Sequence, residues 1–247
     1  MEAVSQEEVE LSVCAPAYNE AEGIEAVVRE WEQVLDEAGV PSEIVITNDG
    51  STDSTGEVLA RLQAEFPNLV VVSFERNGGY GRALSAAVAR SRGRYVVTLD
   101  SDGQFDLAEY RPLLDLLQRE NLDVVTGYRH AKQAGLVHVL ADRGLNLLVR
   151  LLFGLRLRDT NCALKVFRGA VARSILIEAA GYPTPTEYVV KAHTLGYRVG
   201  EHRVTHRPRL AGQTKLKVFR TAWQVGLFLV YLKYKQWLYR RRILARF

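Results

Sequence analysis

The sequence predicts an α/β fold, with a mostly parallel sheet flanked by helices on both faces. Three observations carry that expectation. Short, continuously apolar runs recur through residues 9–128. Stretches with helical periodicity separate them, and glycine, asparagine and aspartate gather where the runs end. Parallel strands covered on both faces read as unbroken apolar runs, and the crossovers joining them are normally helices.

In order, residues 9–15 form a first buried strand, and Asn19-Glu20 opens an amphipathic helix that runs to Ala38, where Gly39-Val40-Pro41 ends it. Residues 43–48 are a second strand, followed by Asp49-Gly50-Ser51-Thr52-Asp53 and a helix over 53–65. Residues 69–74 are a third strand, and the Gly-rich turn RNGGYG leads into the small-residue helix RALSAAVARS. Residues 94–99 are a fourth strand, 107–120 a helix capped by Asp106, and 123–128 a fifth strand. Beyond residue 130 the rhythm changes. Helices over 137–153, 170–180 and 186–196, an edge strand within FGLRLRDTNCALKVF, a last strand near 197–208 and a helix over 215–242 complete the reading. Residues 1–212 are assigned to one domain and 213–247 to a basic, amphipathic helical tail.

The 247 residues suit one α/β domain with an appendage, and 47% hydrophobic content supports a real core and argues against disorder. Cys14 and Cys162 match no zinc or disulfide spacing and read as buried free thiols in a reducing compartment. The opening MEAVSQEEVE is acidic and polar, unlike a signal peptide. The net charge of +3 conceals an asymmetry: residues 202–247 hold twelve Lys and Arg and no acidic residue, leaving 20 basic and 29 acidic groups in residues 1–201. Such a split points to a polyanionic partner for the tail, an anionic membrane or a nucleic acid.

Ligands of open parallel sheets bind beyond the carboxyl ends of the strands. Here those ends carry Pro16-Ala17-Tyr18-Asn19-Glu20, Asn48-Asp49, Arg76-Asn77-Gly78-Gly79 and Asp100-Ser101-Asp102-Gly103-Gln104. Clustered carboxylates repel one another, so they call for a cation or hydrogen-bond donors. Mg²⁺ and Mn²⁺ take oxygen ligands from one or two carboxylates and from substrate phosphates. Asp100 and Asp102 lie two apart, so both side chains face one way if the chain stays extended.

The runs APAYNE, NDGSTD and RNGGYGRALSAAVARSRGRYVVTLDSDGQFD, in that order and spacing, resemble the inverting family-two glycosyltransferases of the GT-A fold. The likeness extends through DTNCALKVFR and PRLAGQTKLK to the dolichol-phosphate mannose synthases and bacterial polyprenyl-phosphate glycosyltransferases. The resemblance implies that Pro16, Tyr18, Glu20 and Asp49 hold the nucleoside, Asp49 accepting from the base. It places metal and diphosphate on Asp100, Asp102 and Gln104, with Ser101 between the two aspartates where alanine is commoner. Arg129, Arg209 and Lys215 correspond to cationic clamps for an acceptor phosphate. Asp102, Asp159 and Arg129 are thereby the expected catalytic residues. Asp159 is left with several roles open: general base, positioning of acceptor or metal, or the cap of a turn. A hydroxyl acceptor needs a base in hydrogen-bond reach, whereas a phosphate acceptor is already anionic.

The expected activity is transfer of a hexose, with inversion, from a nucleoside diphosphate sugar to a polyprenyl phosphate, by a metal-dependent enzyme peripheral on the cytoplasmic membrane face. The rivals are a soluble glycosyltransferase with a saccharide hydroxyl acceptor, and a non-catalytic nucleotide-sugar-binding protein. In the tail, the apolar stretch at residues 222–232 has eleven residues, short of the about 20 that span a bilayer. Its aromatic edge and basic flanks suit a helix lying in the membrane interface. Packing on the domain, or on a second copy in a homo-oligomer, is the alternative use. Nucleic acid is not expected, because the motifs of the body favour sugar transfer.

Overall fold

A computed structural model describes residues 8–129, 136–208 and 218–247. One sheet holds β1 (Leu11–Ala17), β2 (Ser42–Asn48), β3 (Leu69–Ser73), β4 (Tyr95–Thr98), β5 (Val124–Arg129), β6 (Lys165–Arg168) and β7 (Val199–Val204), in the order β3-β2-β1-β4-β6-β5-β7. The helices are α1 (Ile24–Ala38), α2 (Thr55–Glu65), α3 (Tyr80–Arg90), α4 (Tyr110–Arg119), α5 (Leu136–Phe153), α6 (Gly169–Ser174), α7 (Thr184–Thr194) and α8 (Val218–Arg240). Six strands run one way and β6 alone runs against them.

Strand alternation divides the core. Val13, Ile44, Ile46, Val97 and Val125 face α1, α2 and α4, while Cys14, Val45, Val96, Val124 and Phe167 face α3, α6 and α7. Both cysteines are free and buried, and burial pushes the Cys14 thiol up to about 12 and the Cys162 thiol to about 11. α1 buries Ile24, Val27, Val28, Trp31, Val34 and Leu35, the stripe its period prescribes. It ends at Gly39, whose φ of 62° lets its N–H return to Leu35 and Asp36. Asp106 caps the turn before α4, its carboxylate accepting from Ala108 N at 2.9 Å; such a cap contributes about 1 kcal/mol.

Three elements differ from expectation. The first helix begins at Ile24 rather than at Asn19, whose left-handed φ of 56° is not helical. Asn19 N donates to Ser51 Oγ, Glu20 N to Thr55 Oγ1 and Ala21 N to Asp53 Oδ2. Asn19, at φ 56°, also accepts from Thr52 N at 2.8 Å. The strand placed at the sheet edge is instead β6, an interior strand pairing Tyr95–Thr98 on one side and Val124–Thr126 on the other. The helix expected over 170–180 stops at Ser174, since the buried Glu187 carboxylate takes the Glu178 and Ala179 amides at 3.0 and 2.8 Å.

The C-terminal extension forms as α8 and shares a core with α5 and α7: Val225, Leu229 and Leu232 pack with Val149, Phe153, Val189 and Val190. Tyr231 OH and Lys235 Nζ donate to Glu178 at 2.7 and 2.5 Å, and Gln236 Nε2 to Thr194 Oγ1 at 2.9 Å. The opposite face is apolar too. Trp223, Leu227, Val230, Tyr234 and Trp237 are exposed at alternating spacings of four and three, one continuous stripe. The amphipathic tail thus carries two apolar faces, one covered by the domain and one exposed. No helix among the described residues is long and apolar enough to cross a membrane.

Candidate active site

Because β2, β1 and β4 are parallel neighbours, their carboxyl ends share one edge. The reversed β6 brings the residues before it to that edge as well, and β5 adds Arg129. The expected residues Pro16, Tyr18, Glu20, Asp49, Asp100, Ser101, Asp102, Gln104, Arg129 and Asp159 are thereby brought to one edge. Arg209 and Lys215 lie outside the described residues.

The loops at this edge are cross-tied. Asp49 N donates to Ala17 O at 2.8 Å, and Ser101 Oγ to Pro16 O at 2.7 Å. A Cβ on Gly50 would stand 2.4 Å from the Arg76 carbonyl carbon, and its φ is +65°, so glycine alone allows the β2 and β3 loops to close on each other. The buried Asp49 carboxylate accepts from Gly78 N at 2.7 Å and Gly79 N at 2.9 Å. This shapes the turn into α3, a task the sequence did not suggest, and it occupies part of the carboxylate expected to meet a base.

Asp100 and Asp102 do not continue an extended strand: β4 stops at Thr98, and the chain turns over 101–103 with Gly103 at φ 74°. Strand alternation therefore does not set the direction of their side chains; the turn does. Asp102 Oδ1 accepts from Gln104 N at 3.0 Å, and Asp100 Oδ1 accepts from Tyr80 OH at 2.8 Å. Burial, then the neighbouring Asp100, pushes the Tyr80 phenol well above its ordinary range, so it remains a neutral donor. Among the described residues no three metal-binding side chains cluster into a cage. Two adjacent carboxylates do fit a hard cation that completes its shell with phosphate oxygens and water.

Beside this lies a second charged group. Arg129 Nε and Nη2 donate to Asp159 Oδ2 and Oδ1 at 2.7 and 3.0 Å, and Asn161 N adds a donor to Oδ1 at 3.3 Å. The partnership with Asp159 outweighs burial and holds the guanidinium firmly cationic. Asp159 thus serves as the anchor of an arginine, beyond the turn-capping role its bond to Asn161 also fills. Lys165 is fully buried, donates to Cys162 O and lies within electrostatic reach of Asp159, Arg129 and Asp100. Burial pulls it down to about 8, against the upward pull of Asp159 and Asp100. Gln104 Nε2 reaches Arg207 O at 3.4 Å, and His206 stands edge-on to Phe105 with centroids 5.2 Å apart, so the segment after β7 borders the site. Two of these residues, Tyr80 and Lys165, are not among the site residues the sequence points to. Tyr80 lies inside the Gly-rich turn RNGGYG, and Lys165 in the stretch read as an edge strand.

Comparison with known proteins agrees with this architecture. A dodecaprenyl-phosphate galacturonate synthase of Rhizobium johnstonii is 29% identical over 216 residues, covering 86% of this chain and 63% of that protein. An undecaprenyl-phosphate 4-deoxy-4-formamido-L-arabinose transferase of Pseudomonas aeruginosa is 31% identical over 211 residues, covering 85% and 61%. The chain therefore spans less than two thirds of the length of these curated relatives. A crystal structure of glucosyl-3-phosphoglycerate synthase from Mycobacterium tuberculosis, in complex with Mn²⁺, UDP and phosphoglyceric acid, superposes with a TM-score of 0.71 at 22% identity, covering 91% of this chain and 78% of that one. That last likeness concerns the fold. Residues 12–177 match the model of Glycosyl transferase family 2, and with so much of the strand-end edge inside the match, the chain belongs to that family.

Proposed function

We propose that this chain transfers a hexose from a nucleoside diphosphate sugar to a polyprenyl phosphate, with inversion, on the cytoplasmic face of a membrane. The observation that carries the choice of acceptor is the Arg129–Asp159 pair. A saccharide hydroxyl would need a general base, and Asp159, for which that role is one of several left open, is bound on both oxygens by an arginine. A phosphate acceptor needs no base and is recognised by a guanidinium. The curated relatives, named for dodecaprenyl and undecaprenyl phosphates, support the same acceptor.

Asp100 and Asp102, with Gln104, are the residues that would hold Mg²⁺ or Mn²⁺, which when bound neutralises charge on the departing diphosphate. Pro16, Tyr18, Glu20 and Asp49 border the nucleoside side of the edge. Arg129, oriented by Asp159, holds the acceptor phosphate, with Arg209 and Lys215 as further clamps. An acceptor oxygen attacks the anomeric carbon as its bond to the diphosphate oxygen breaks, and the electron pair leaves with the diphosphate. Residues 213–247 carry the exposed stripe of α8 to the membrane surface, where Arg240, Arg241 and Arg242 add positive charge.

The test is synthesis. Purified protein is given radiolabelled UDP-, GDP- and dTDP-sugars, Mn²⁺ and undecaprenyl phosphate in vesicles. A lipid-linked sugar is expected from one donor, and none from Asp102→Ala with its fold intact. Product on saccharide hydroxyls alone, or full activity in the variant, would overturn the reading.

A further inference from the structure

We infer that Tyr80 is a positioning residue for the donor site: its phenol orients Asp100 as a ligand for the cation that accompanies the donor diphosphate. The inference rests on the proposed metal role of Asp100 and Asp102, and adds the group that aims one of them. A carboxylate beyond a strand end turns freely about its last torsion, whose energy profile is broad. The Tyr80 hydroxyl, 2.8 Å from Asp100 Oδ1, fixes that torsion. A neutral donor does this without cancelling the carboxylate's charge, whereas an arginine or lysine there would compete with a cation. Partners behind metal ligands hold ligand orientation in this way, and losing one weakens metal affinity about 10–100-fold.

Tyr80 can aim Asp100 only if its own place is fixed, and the fold fixes it from both sides. Glycines flank it. A Cβ on Gly79 would lie 2.3 Å from Ala180 O, and one on Gly81 1.7 Å from Ala179 O, so the backbone around Tyr80 rests directly on the 179–180 segment. Gly81 N donates to Ala180 O at 3.4 Å. On the other side Asp49 grips Gly78 and Gly79. The 179–180 segment is itself immobilised. Thr184 Oγ1 donates to Ala179 O at 3.1 Å, and buried Glu187 takes the Ala179 amide while pairing with buried Lys191 at 2.9 Å. A phenol seated on such a support has little freedom to leave Asp100, which is the condition for a positioning role.

Tyr80→Phe removes one oxygen and leaves the ring. Mn²⁺ is titrated into the full chain with UDP or GDP present, whichever the unaltered chain retains, and free Mn²⁺ is read by electron paramagnetic resonance. Binding about tenfold weaker is expected, with Tm within about 2 °C of the unaltered chain. Turnover by the variant is expected to recover as Mn²⁺ is raised, which a purely structural defect would not do. Mn²⁺ affinity within twofold of the unaltered chain overturns the inference alone. Failure of the unaltered chain to bind Mn²⁺ with either nucleotide overturns the metal site and this inference together.

Discussion

Arg129 and Asp159, thirty residues apart in sequence, meet at the sheet edge through two parallel N–H···O bonds of 2.7 and 3.0 Å. Two-pronged geometry makes this pair directional as well as charged. Asp159 is buried and Arg129 largely so, and removing one partner of such a pair costs about 3 kcal/mol, roughly a hundredfold in rate if the pair acts in the transition state. Asp159→Asn is expected to lower kcat/KM by about that factor without changing the shape of its pH profile. Loss of an acidic limb in the variant would mean that Asp159 had been acting as a base. Arg129→Lys, which keeps the charge but loses the fork, is expected to resemble Asp159→Asn.

The alternation of strands and helices was readable because strands buried on both faces must be apolar throughout: all seven residues of β1 are buried. What the pattern cannot express is which strand lies beside which. β6 has four residues, and its antiparallel entry between β4 and β5 depends on pairing Lys165 with Thr98, sixty-seven positions away. The carboxylates of the site were legible, since repulsion between them demands an explanation. Their partners were not. Asp49 finds Gly78 and Gly79 across β3, and Asp100 finds a tyrosine of the Gly-rich turn. Asn19 and Glu20 misled as a helix start, because Asn19 takes a left-handed φ of 56° while it bridges to Ser51 and Thr52 of another loop.

Gly50 offers a clean separation of strain from contact. Gly50 and Gly39 both have left-handed φ, +65° and +62°, but a Cβ on Gly39 meets nothing within 4 Å. Gly39→Ala is expected to cost about 1 kcal/mol from backbone strain alone. Gly50→Ala, whose Cβ would press on the Arg76 backbone, should cost about 3 kcal/mol and weaken nucleotide binding through the displaced Asp49 loop. Urea midpoints measure both, and equal midpoints would remove the argument that this loop contact requires glycine.

Glu178 predicts how α8 responds to acid. Burial pulls its carboxyl up, but donors from Lys191, Lys235 and Tyr231 together outweigh it and hold the group down at about 2, against an ordinary 4.5. A depressed folded value means that the stabilisation is present above pH 4.5 and disappears as the pH falls towards 2. α8 should therefore loosen in that window, seen as a change in the emission of Trp223 and Trp237. Glu178→Gln is expected to flatten the transition and to loosen α8 at neutral pH. A transition unchanged in the variant would assign the acid response to other carboxylates.

The exposed stripe of α8 offers a test of where the protein works. Trp223, Leu227, Val230, Tyr234 and Trp237 form one apolar line on a helix already packed on its other side. Leu147 and Leu151 of α5 are exposed as well. Leu227 and Val230 are each more than half exposed, so burying either in an interface contributes about 1 kcal/mol, with about 1 kcal/mol more per basic residue near an anionic surface. Replacing both by glutamate removes the apolar gain and adds repulsion from anionic lipid. The double variant should keep its Tm and bind phosphatidylglycerol vesicles at least tenfold more weakly in flotation, about 1.4 kcal/mol or more. The unaltered chain should release from those vesicles as salt is raised, because the basic contribution is screened. If instead it floats with none of these vesicles and sediments as a dimer that the double variant disrupts, the stripe is a contact between copies of the chain, and the acceptor must be sought in solution.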